Sequence, residues 1–461
     1  MNQCTFVILG ATGDLTKRKL IPAMYHLIKK NKIKNFALVG AAITDTTIQD
    51  VLQKSQKFIQ KPDRKVWKQL EQSSYYCQLD FHNQNDFQKL QKLLIRVEKK
   101  HKLPGNRIFY LATLPEHFET ITANLSKNKI VQKGKQTLWS RVVYEKPFGH
   151  DLKSARKINR CIAKLFDESQ VYRIDHFLLE ELVTNIALVR FSNLFFEPLW
   201  NNKYIESVQI VLHEKIGIEG RGAFYDHYGA LKDVVQNHML QMLALIAMEP
   251  PKKLSGEYIR DAKVRVLKRV QHNDILLGQY KEYQDERGVN PKSRTETFTA
   301  LRLEIANRRW KGVPFFLKTG KCLSKKETSI HIKFKNPTCL QQDCPAESNY
   351  LTIQIQPREG FYLQVNTKIP GETHNVTPVK MDFCHACHFG PNTPQAYETL
   401  LSEVLEGDHS VFVRFDEIEY SWKLIDKILA KKHPIYTYKK NTDGPKQLAI
   451  FNKKNNIRWR T

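Results

Sequence analysis

The sequence predicts an α/β domain with a parallel sheet over residues 1–174, followed by an α+β domain over residues 175–461 with a large, mainly antiparallel sheet. The chain has 461 residues, more than one ordinary hydrophobic core accommodates. In the first part, apolar strand-like segments alternate with helical segments, which is typical of a parallel sheet covered by helices. Beyond about residue 175, apolar residues recur at every second position, which is typical of antiparallel strands.

The first domain opens with a buried strand, a glycine turn and a helix. Residues 5–9 form the strand, and an apolar helical pattern continues as far as Leu27. The turn between them consists of Gly10, Ala11, Thr12, Gly13, Asp14 and Leu15. In a Rossmann-like domain, such glycines permit a tight turn and let the backbone approach a pyrophosphate at a helix N-terminus. These six residues therefore predict a dinucleotide-binding turn, although glycine also serves ordinary strained turns.

The remaining elements follow from the same two periodicities. Strand-like segments at 36–40, 107–112 and 140–147 and helical segments near 46–60 and after Pro115 complete the first domain. Alternating apolar residues predict strands around 208–212, 301–305, 330–334, 351–355 and 361–365. A long apolar helix over 230–248 is expected to pack against their sheet.

The net charge of +26 is spread over the chain. Lysine pairs recur singly and not in one block with interleaved aromatic residues, so we expect a solvated basic surface and no nucleic-acid partner. No apolar run reaches the roughly 18 residues that span a bilayer, and the N-terminus lacks the basic lead of a signal peptide. The expected location is cytoplasmic, with no membrane partner.

Eight cysteines in such a compartment are expected to be reduced. Cys384 and Cys387, with Cys339 and Cys344 upstream, could close a tetrahedral zinc site. The loose spacing of the upstream pair instead favours free thiols packed as small apolar side chains, and no metal is expected.

Residues 173–181 read Arg-Ile-Asp-His-Phe-Leu-Leu-Glu-Glu. Asp175 stands next to His176, and a carboxylate beside an imidazole is the start of an acid/base relay.

Residues 173–181 resemble, at six of nine positions, the substrate signature of the glucose-6-phosphate dehydrogenase family, which usually reads Arg-Ile-Asp-His-Tyr-Leu-Gly-Lys-Glu. The resemblance covers nearly the whole chain. Its other matching blocks are residues 10–15, 145–149, 219–222, 233–238, 310–315, 319–321 and 394–398.

The resemblance implies hydride transfer from C1 of glucose 6-phosphate to NADP, with NAD as a possible second cofactor. It assigns His238 as the base that takes the C1 hydroxyl proton and Asp175 as its carboxylate partner. From composition alone, a histidine such as His238 is more often an ordinary structural residue than a catalytic one. The resemblance also implies a homodimer or homotetramer.

The resemblance implies further residues that contact the cofactor or the substrate. Lys146 would contact both cofactor and sugar, and Tyr110 would contact the cofactor. The remaining substrate contacts are His176 at the phosphate, Glu214 and Asp233 at sugar hydroxyls, and the cations Lys321 and Lys326. Asp233, Asn237 and Gln241 stand at helical spacing, which also fits a hydrated helix face.

The chain departs from the family at two contacts. Phe177, Leu179 and Glu180 replace tyrosine, glycine and lysine. The carboxylate of Glu180, if it lay about 4 Å from a phosphate charge, would cost about 4 kcal/mol at an effective dielectric near 20. Ile43 stands where the family usually has an arginine for the 2′-phosphate of NADP, which predicts a relaxed cofactor preference. Three hypotheses stay open: an active enzyme with an altered phosphate site, a dehydrogenase of another sugar, and a non-catalytic homologue.

Overall fold

The computed structural model describes residues 3–134, 137–336, 348–371, 376–390 and 396–460. The chain divides into two compact units. Unit 1 comprises Met1–Leu179, Ser255–Arg260 and Pro394–Glu419, and unit 2 comprises Glu180–Leu254, Asp261–Thr393 and Tyr420–Thr461. The predicted domain border after residue 174 stays a prediction.

Unit 1 contains a parallel sheet that has six strands within the described residues. These are β1 (Cys4–Leu9), β2 (Phe36–Ala42), β3 (Ser74–Gln78), β4 (Arg107–Leu111), β5 (Ser140–Tyr144) and β6 (Val171–Arg173). Their order is β3-β2-β1-β4-β5-β6, and every neighbouring pair is parallel. This is the doubly wound Rossmann order, confirming the predicted fold, and its strand order reverses between β1 and β4.

Helices cover both faces of this sheet. They are Ile21–Lys29, Ile48–Gln56, Arg64–Gln72, Gln84–Lys100, Phe118–Lys127, Leu152–Leu165 and Ala396–Glu406. Phe6 and Ile8 of β1 belong to one apolar cluster, and Val7 and Leu9 belong to the other. Because successive side chains of a strand point to opposite faces, a strand covered on both faces is apolar at every position.

Unit 2 contains a larger sheet that has nine strands within the described residues. They are β7 (Ile205–His213), β8 (Val270–Tyr280), β9 (Phe298–Ile305), β10 (Pro314–Gly320), β11 (Glu327–Phe334), β12 (Tyr350–Gln356), β13 (Gly360–Lys368), β14 (Val376–Cys384) and β15 (Ile435–Tyr438). The order is β14-β13-β12-β11-β7-β10-β9-β8-β15. Only the pairs β7–β10 and β8–β15 among these are parallel, so the sheet is mainly antiparallel, as predicted.

The predicted apolar helix 230–248 is present as three consecutive segments. An α-helix at Gly222–Ala230 leads into a π-helix at Leu231–Met239, and an α-helix at Leu240–Ala247 follows. The other helices of unit 2 are Glu181–Ser192, His385–Phe389 and Leu448–Lys454, and the helices Gly256–Leu267 and Phe415–Leu429 begin in unit 1 and continue in unit 2. None of the helices in the described residues has both the length and the apolar character needed to cross a membrane.

The expectation of reduced cysteines is wrong for one pair. Cys384 and Cys387 form a disulfide, and their Cα atoms lie 5.2 Å apart, within the range that such a bond requires. Their thiolates are therefore not zinc ligands in this state. Cys339 and Cys344 lie outside the described residues, and within the described part of the chain no three His, Cys, Asp or Glu side chains are grouped as metal ligands.

Candidate active site

The glycine turn after β1 has the geometry of a phosphate-binding turn. Gly10 has φ +96°, and a Cβ there would lie 2.3 Å from the carbonyl oxygen of Ala112, so only glycine fits. The Gly10 and Ala11 amides donate to the carbonyl of Ala41 at 2.8 and 3.1 Å, and the Gly13 amide donates to the Gly10 carbonyl at 3.0 Å. The helical segment that follows points its N-terminus toward the turn. The turn therefore fits a dinucleotide pyrophosphate, which the helix N-terminus would hold.

Hydroxyl groups lie at the end of β2, where dinucleotide-binding domains commonly recognise the adenosine ribose. The Thr12 and Thr44 hydroxyls are 3.2 Å apart, and the Tyr76 hydroxyl donates to the carbonyl of Thr44 at 2.6 Å. The side chain of Ile43 is 66% exposed and offers no charge to a 2′-phosphate.

The carboxyl ends of β4, β5 and β6 carry most of the other predicted residues of unit 1. Tyr110 lies near the end of β4, Lys146 follows β5, and Asp175 and His176 follow β6. Because the strands are parallel and β4, β5 and β6 are neighbours, these residues share one edge of the sheet with the glycine turn. In open α/β sheets this edge is where ligands bind.

Asp175 is buried at the start of a short helical turn, His176–Leu179. Its Oδ1 accepts the amide hydrogen of Phe177 at 3.0 Å, and its carbonyl accepts that of Leu178 at 3.0 Å. This hydrogen bond fixes the orientation of the carboxylate.

His176 belongs to a hydrogen-bonded cluster that the sequence did not reveal. Its Nε2 lies 3.1 Å from Oε2 of Glu145, while Oε1 of Glu145 accepts from the Tyr110 hydroxyl at 2.5 Å and from the Tyr397 hydroxyl at 3.4 Å. Burial alone lowers the pKa of His176, but the hydrogen bond and charge of Glu145, with Asp175, raise it above its usual value. Burial, with the charge of Glu145, raises the pKa of Tyr110 and Tyr397, so both hydroxyls keep their hydrogens.

A second group of site residues lies in unit 2 at the end of β7. Glu214 forms an ion pair with Lys321, whose side chain is buried and lies 5.2 Å from the centre of the Tyr225 ring. Burial raises the pKa of Tyr225, and the nearby charges of Asp233, Glu296 and Glu214 raise it further. Sequence reasoning did not single out Tyr225 or Glu296.

The π-helix Leu231–Met239 holds Asp233 and His238. Because a π-helix closes its hydrogen bonds from residue i to i+5, these two residues stand one turn apart. The side chain of His238 is buried. Gln241 is also buried and accepts a hydrogen bond from Lys263 at 2.9 Å, so it does not continue a hydrated stripe.

Two family models match the chain along almost its entire length. The model of the glucose-6-phosphate dehydrogenase NAD binding domain matches residues 7–185, and that of the C-terminal domain matches residues 187–460. The glucose-6-phosphate 1-dehydrogenase of Bacillus subtilis (strain 168) is 40% identical, with 99% of this chain and 98% of that protein covered. The enzyme of the same name from Chlamydia muridarum (strain MoPn / Nigg) is 41% identical over 94% of this chain and 92% of that protein.

The chain belongs to the glucose-6-phosphate dehydrogenase family.

Solved structures agree with this assignment. A glucose-6-phosphate dehydrogenase in complex with its substrate glucose-6-phosphate is 34% identical, with a TM-score of 0.92 and coverage of 100% of this chain and 99% of that chain. A glucose-6-phosphate 1-dehydrogenase from Mycobacterium avium is 32% identical, with a TM-score of 0.87 and coverage of 100% and 98%.

Lys326 and Lys321 differ in exposure, since Lys326 is exposed and Lys321 is buried. Lys326 lines a cavity of about 1240 Å³ in unit 2, together with the cations Lys325, Lys333, Arg358, Lys380, Arg458 and Arg460. Lys321 is not among the residues that line this cavity. The two cations assigned to the substrate therefore occupy different surroundings.

The three residues that depart from the family signature differ in their burial. Leu179 packs in an apolar cluster of unit 1, and Phe177 is half-buried. Glu180 is half-buried at the start of the helix Glu181–Ser192 in unit 2. Pro394 and Gln395, from the last matching block, lie outside the described residues, whereas Tyr397 of that block joins the His176 cluster.

Proposed function

We propose that the chain oxidises glucose 6-phosphate at C1 and reduces NADP. Membership of the glucose-6-phosphate dehydrogenase family over residues 7–460 carries the proposal. Two structural features support it: an intact glycine turn, and a buried aspartate at the same edge of the parallel sheet.

The reaction removes two hydrogens from C1 and its hydroxyl. The C1 hydrogen leaves with its electron pair to the nicotinamide ring, the hydroxyl proton goes to His238, and C1 becomes the carbonyl carbon of 6-phosphogluconolactone. When bound, NADP supplies the hydride acceptor. Asp175 is the carboxylate partner that the family resemblance assigns to His238, where it would fix the imidazole tautomer and stabilise the imidazolium.

The remaining assignments concern binding. His176 is proposed to contact the sugar phosphate, and Glu214 and Asp233 are proposed to contact sugar hydroxyls. Lys321 and Lys326 are proposed as cationic contacts of the substrate, and Lys146 as a contact of both sugar and nicotinamide. The buried Lys321 forms an ion pair with Glu214, whose side chain is 28% exposed, and the pair gives both groups a fixed direction. Tyr110 is also proposed as a cofactor contact; its side chain is buried and its hydroxyl donates to Glu145.

The cofactor site is proposed to accept NAD as well as NADP. Thr12 and Thr44 offer hydroxyls to the adenosine ribose, and Ile43 offers no guanidinium to a 2′-phosphate. An Ile43→Arg variant should bind 2′,5′-ADP at least about tenfold more tightly while its affinity for 5′-AMP is unchanged. Calorimetric titration of both fragments measures this, and unchanged 2′,5′-ADP affinity would show that the end of β2 does not face the phosphate.

The test of the proposed function is the absorbance of reduced nicotinamide with glucose 6-phosphate or free glucose as substrate. The native protein should turn over the phosphorylated sugar far better. His238→Asn should lower kcat by about 10²- to 10⁴-fold, because general base catalysis contributes that much. His227→Asn, at an exposed histidine on the preceding helix, is the matched control and should keep full activity.

Other outcomes would favour the other hypotheses. Equal turnover of free glucose would favour a dehydrogenase of another sugar. Absence of turnover with every sugar and cofactor would favour a non-catalytic homologue. We also propose that the chain is cytoplasmic and forms a homodimer or homotetramer; sedimentation of the purified protein tests the latter.

A further inference from the structure

Glu145 is a buried carboxylate surrounded by hydrogen-bond donors in unit 1. The residue is 8% exposed, and its two oxygens face Tyr110, Tyr397 and the Nε2 of His176. Both tyrosines are themselves buried, whereas the His176 side chain is 35% exposed. The cluster therefore joins a buried carboxylate to an imidazole that an incoming ligand can reach.

The chemistry of a carboxylate determines which hydrogen His176 carries. An ionised carboxylate only accepts hydrogen bonds, so the Nε2 facing Glu145 must carry a hydrogen. In the neutral imidazole, Nδ1 then has a lone pair and repels an anion. In the imidazolium, Nδ1 also carries a hydrogen and can donate to a phosphate oxygen.

We propose that Glu145 is a positioning residue for the sugar phosphate: clamped by Tyr110 and Tyr397, it keeps Nε2 of His176 a donor and stabilises the imidazolium, whose Nδ1–H can then donate to the anion. This inference rests on the proposed function, because it takes the phosphate of the substrate as the anion. It assigns a role to two residues, Glu145 and Tyr397, that lie 252 positions apart in the chain. Glu145 itself touches no substrate atom in this account.

The proposal predicts how anion binding depends on pH. The charged groups that act on His176 include Glu145 and Asp175, which favour the imidazolium, and Lys146, which opposes it. Since the pKa of His176 is raised, anion binding should be strong below that pKa and weaken as pH rises through it. Without the charge of Glu145, the weakening should begin at lower pH.

The experiment measures the dissociation constant of inorganic sulfate by calorimetry between about pH 5.5 and 9. Sulfate keeps its charge over this range, whereas a phosphate ester titrates near pH 6. Glu145→Gln should shift the pH at which affinity falls downward by about one unit, so that sulfate binds about tenfold more weakly near neutral pH. His176→Asn should remove the pH dependence, and Tyr397→Phe should shift it in the same direction as Glu145→Gln, but less.

Glu98→Gln is the matched control. Glu98 is likewise a buried acid of unit 1, but it pairs with Arg107 at the opposite end of β4. It should leave the pH profile of sulfate binding unchanged. An unchanged profile in Glu145→Gln, or an equal shift in both variants, would overturn the proposal.

Steady-state kinetics separate this inference from the proposed function. If Glu145→Gln raises KM for glucose 6-phosphate near neutral pH, with kcat within about threefold of the native value, the positioning role and the proposed function are both supported. If the native protein reduces no NADP, the proposed function fails, while the sulfate titration still tests the clamp. A loss confined to kcat with unchanged sulfate binding would overturn the positioning role alone.

Discussion

Substitution of Glu296 by glutamine should stabilise the protein at alkaline pH. Glu296 is buried in unit 2, and its Oε1 accepts the amide hydrogen of Leu231 at 2.9 Å, at the start of the π-helix. Burial raises the pKa of its carboxyl from 4.5 to about 7, against the opposing effect of the Leu231 hydrogen bond. The folded state therefore holds a proton that the unfolded chain releases.

The sign and size of the effect follow from the difference between the pKa of Glu296 in the folded state and in the unfolded chain. Between about pH 4.5 and 7 the folded state binds more protons than the unfolded state, so the free energy of unfolding falls as pH rises. Each pKa unit is worth about 1.4 kcal/mol, so above pH 7 the buried carboxylate costs about 3 kcal/mol. A glutamine keeps an oxygen for Leu231 and carries no charge, so Glu296→Gln should recover most of this.

The assay is the thermal unfolding midpoint at about pH 5 and pH 8, followed by circular dichroism. The variant should unfold several degrees above the native protein at the higher pH and close to it at the lower. Glu282→Gln, at an exposed glutamate of the same unit, should show no such pH-dependent difference. An equal difference between native protein and Glu296→Gln at both pH values would refute the reasoning.

Three further substitutions test other parts of the site. Gly10→Ala should weaken NADPH binding at least about tenfold and lower stability by about 2 kcal/mol, because the added Cβ meets the Ala112 carbonyl at a residue with positive φ. Fluorescence titration measures the binding and thermal unfolding measures the stability. Native values of both would show that the turn tolerates a side chain. Lys321→Met should raise KM for glucose 6-phosphate and lower stability by about 1 kcal/mol, because Glu214 loses its partner but is 28% exposed to solvent. An unchanged KM would remove Lys321 from the substrate contacts. Glu180→Lys should lower that KM by about tenfold if its side chain faces the phosphate; an unchanged KM would mean that it points elsewhere.

The fold was largely predictable because its signals are local. The glycine turn joins residues adjacent in sequence, and a strand such as β12 buries one face and so alternates in the chain. β10 was missed because both its faces are buried, which removes the alternation. β14 was missed because it contains Pro378 and exposes most of its side chains.

The candidate site was less predictable because its contacts are long-range. Glu145 meets Tyr397 across 252 positions, and Lys321 meets Glu214 across 107. Periodicity gives the faces of single elements and carries no information about such pairs. The local sequence also predicted one continuous helix over 230–248, because a π-helical segment changes the hydrogen-bond register without a distinct composition.

Transfer of the C1 hydrogen itself tests the central claim most directly. With glucose 6-phosphate deuterated at C1, the reduced NADP should carry one deuterium on its nicotinamide ring, and the substrate should react more slowly if the transfer limits the rate. Mass spectrometry of the reduced cofactor gives the result. Deuterium found in water, with an unlabelled cofactor, would contradict direct hydride transfer and with it the chemistry assigned to His238 and Asp175.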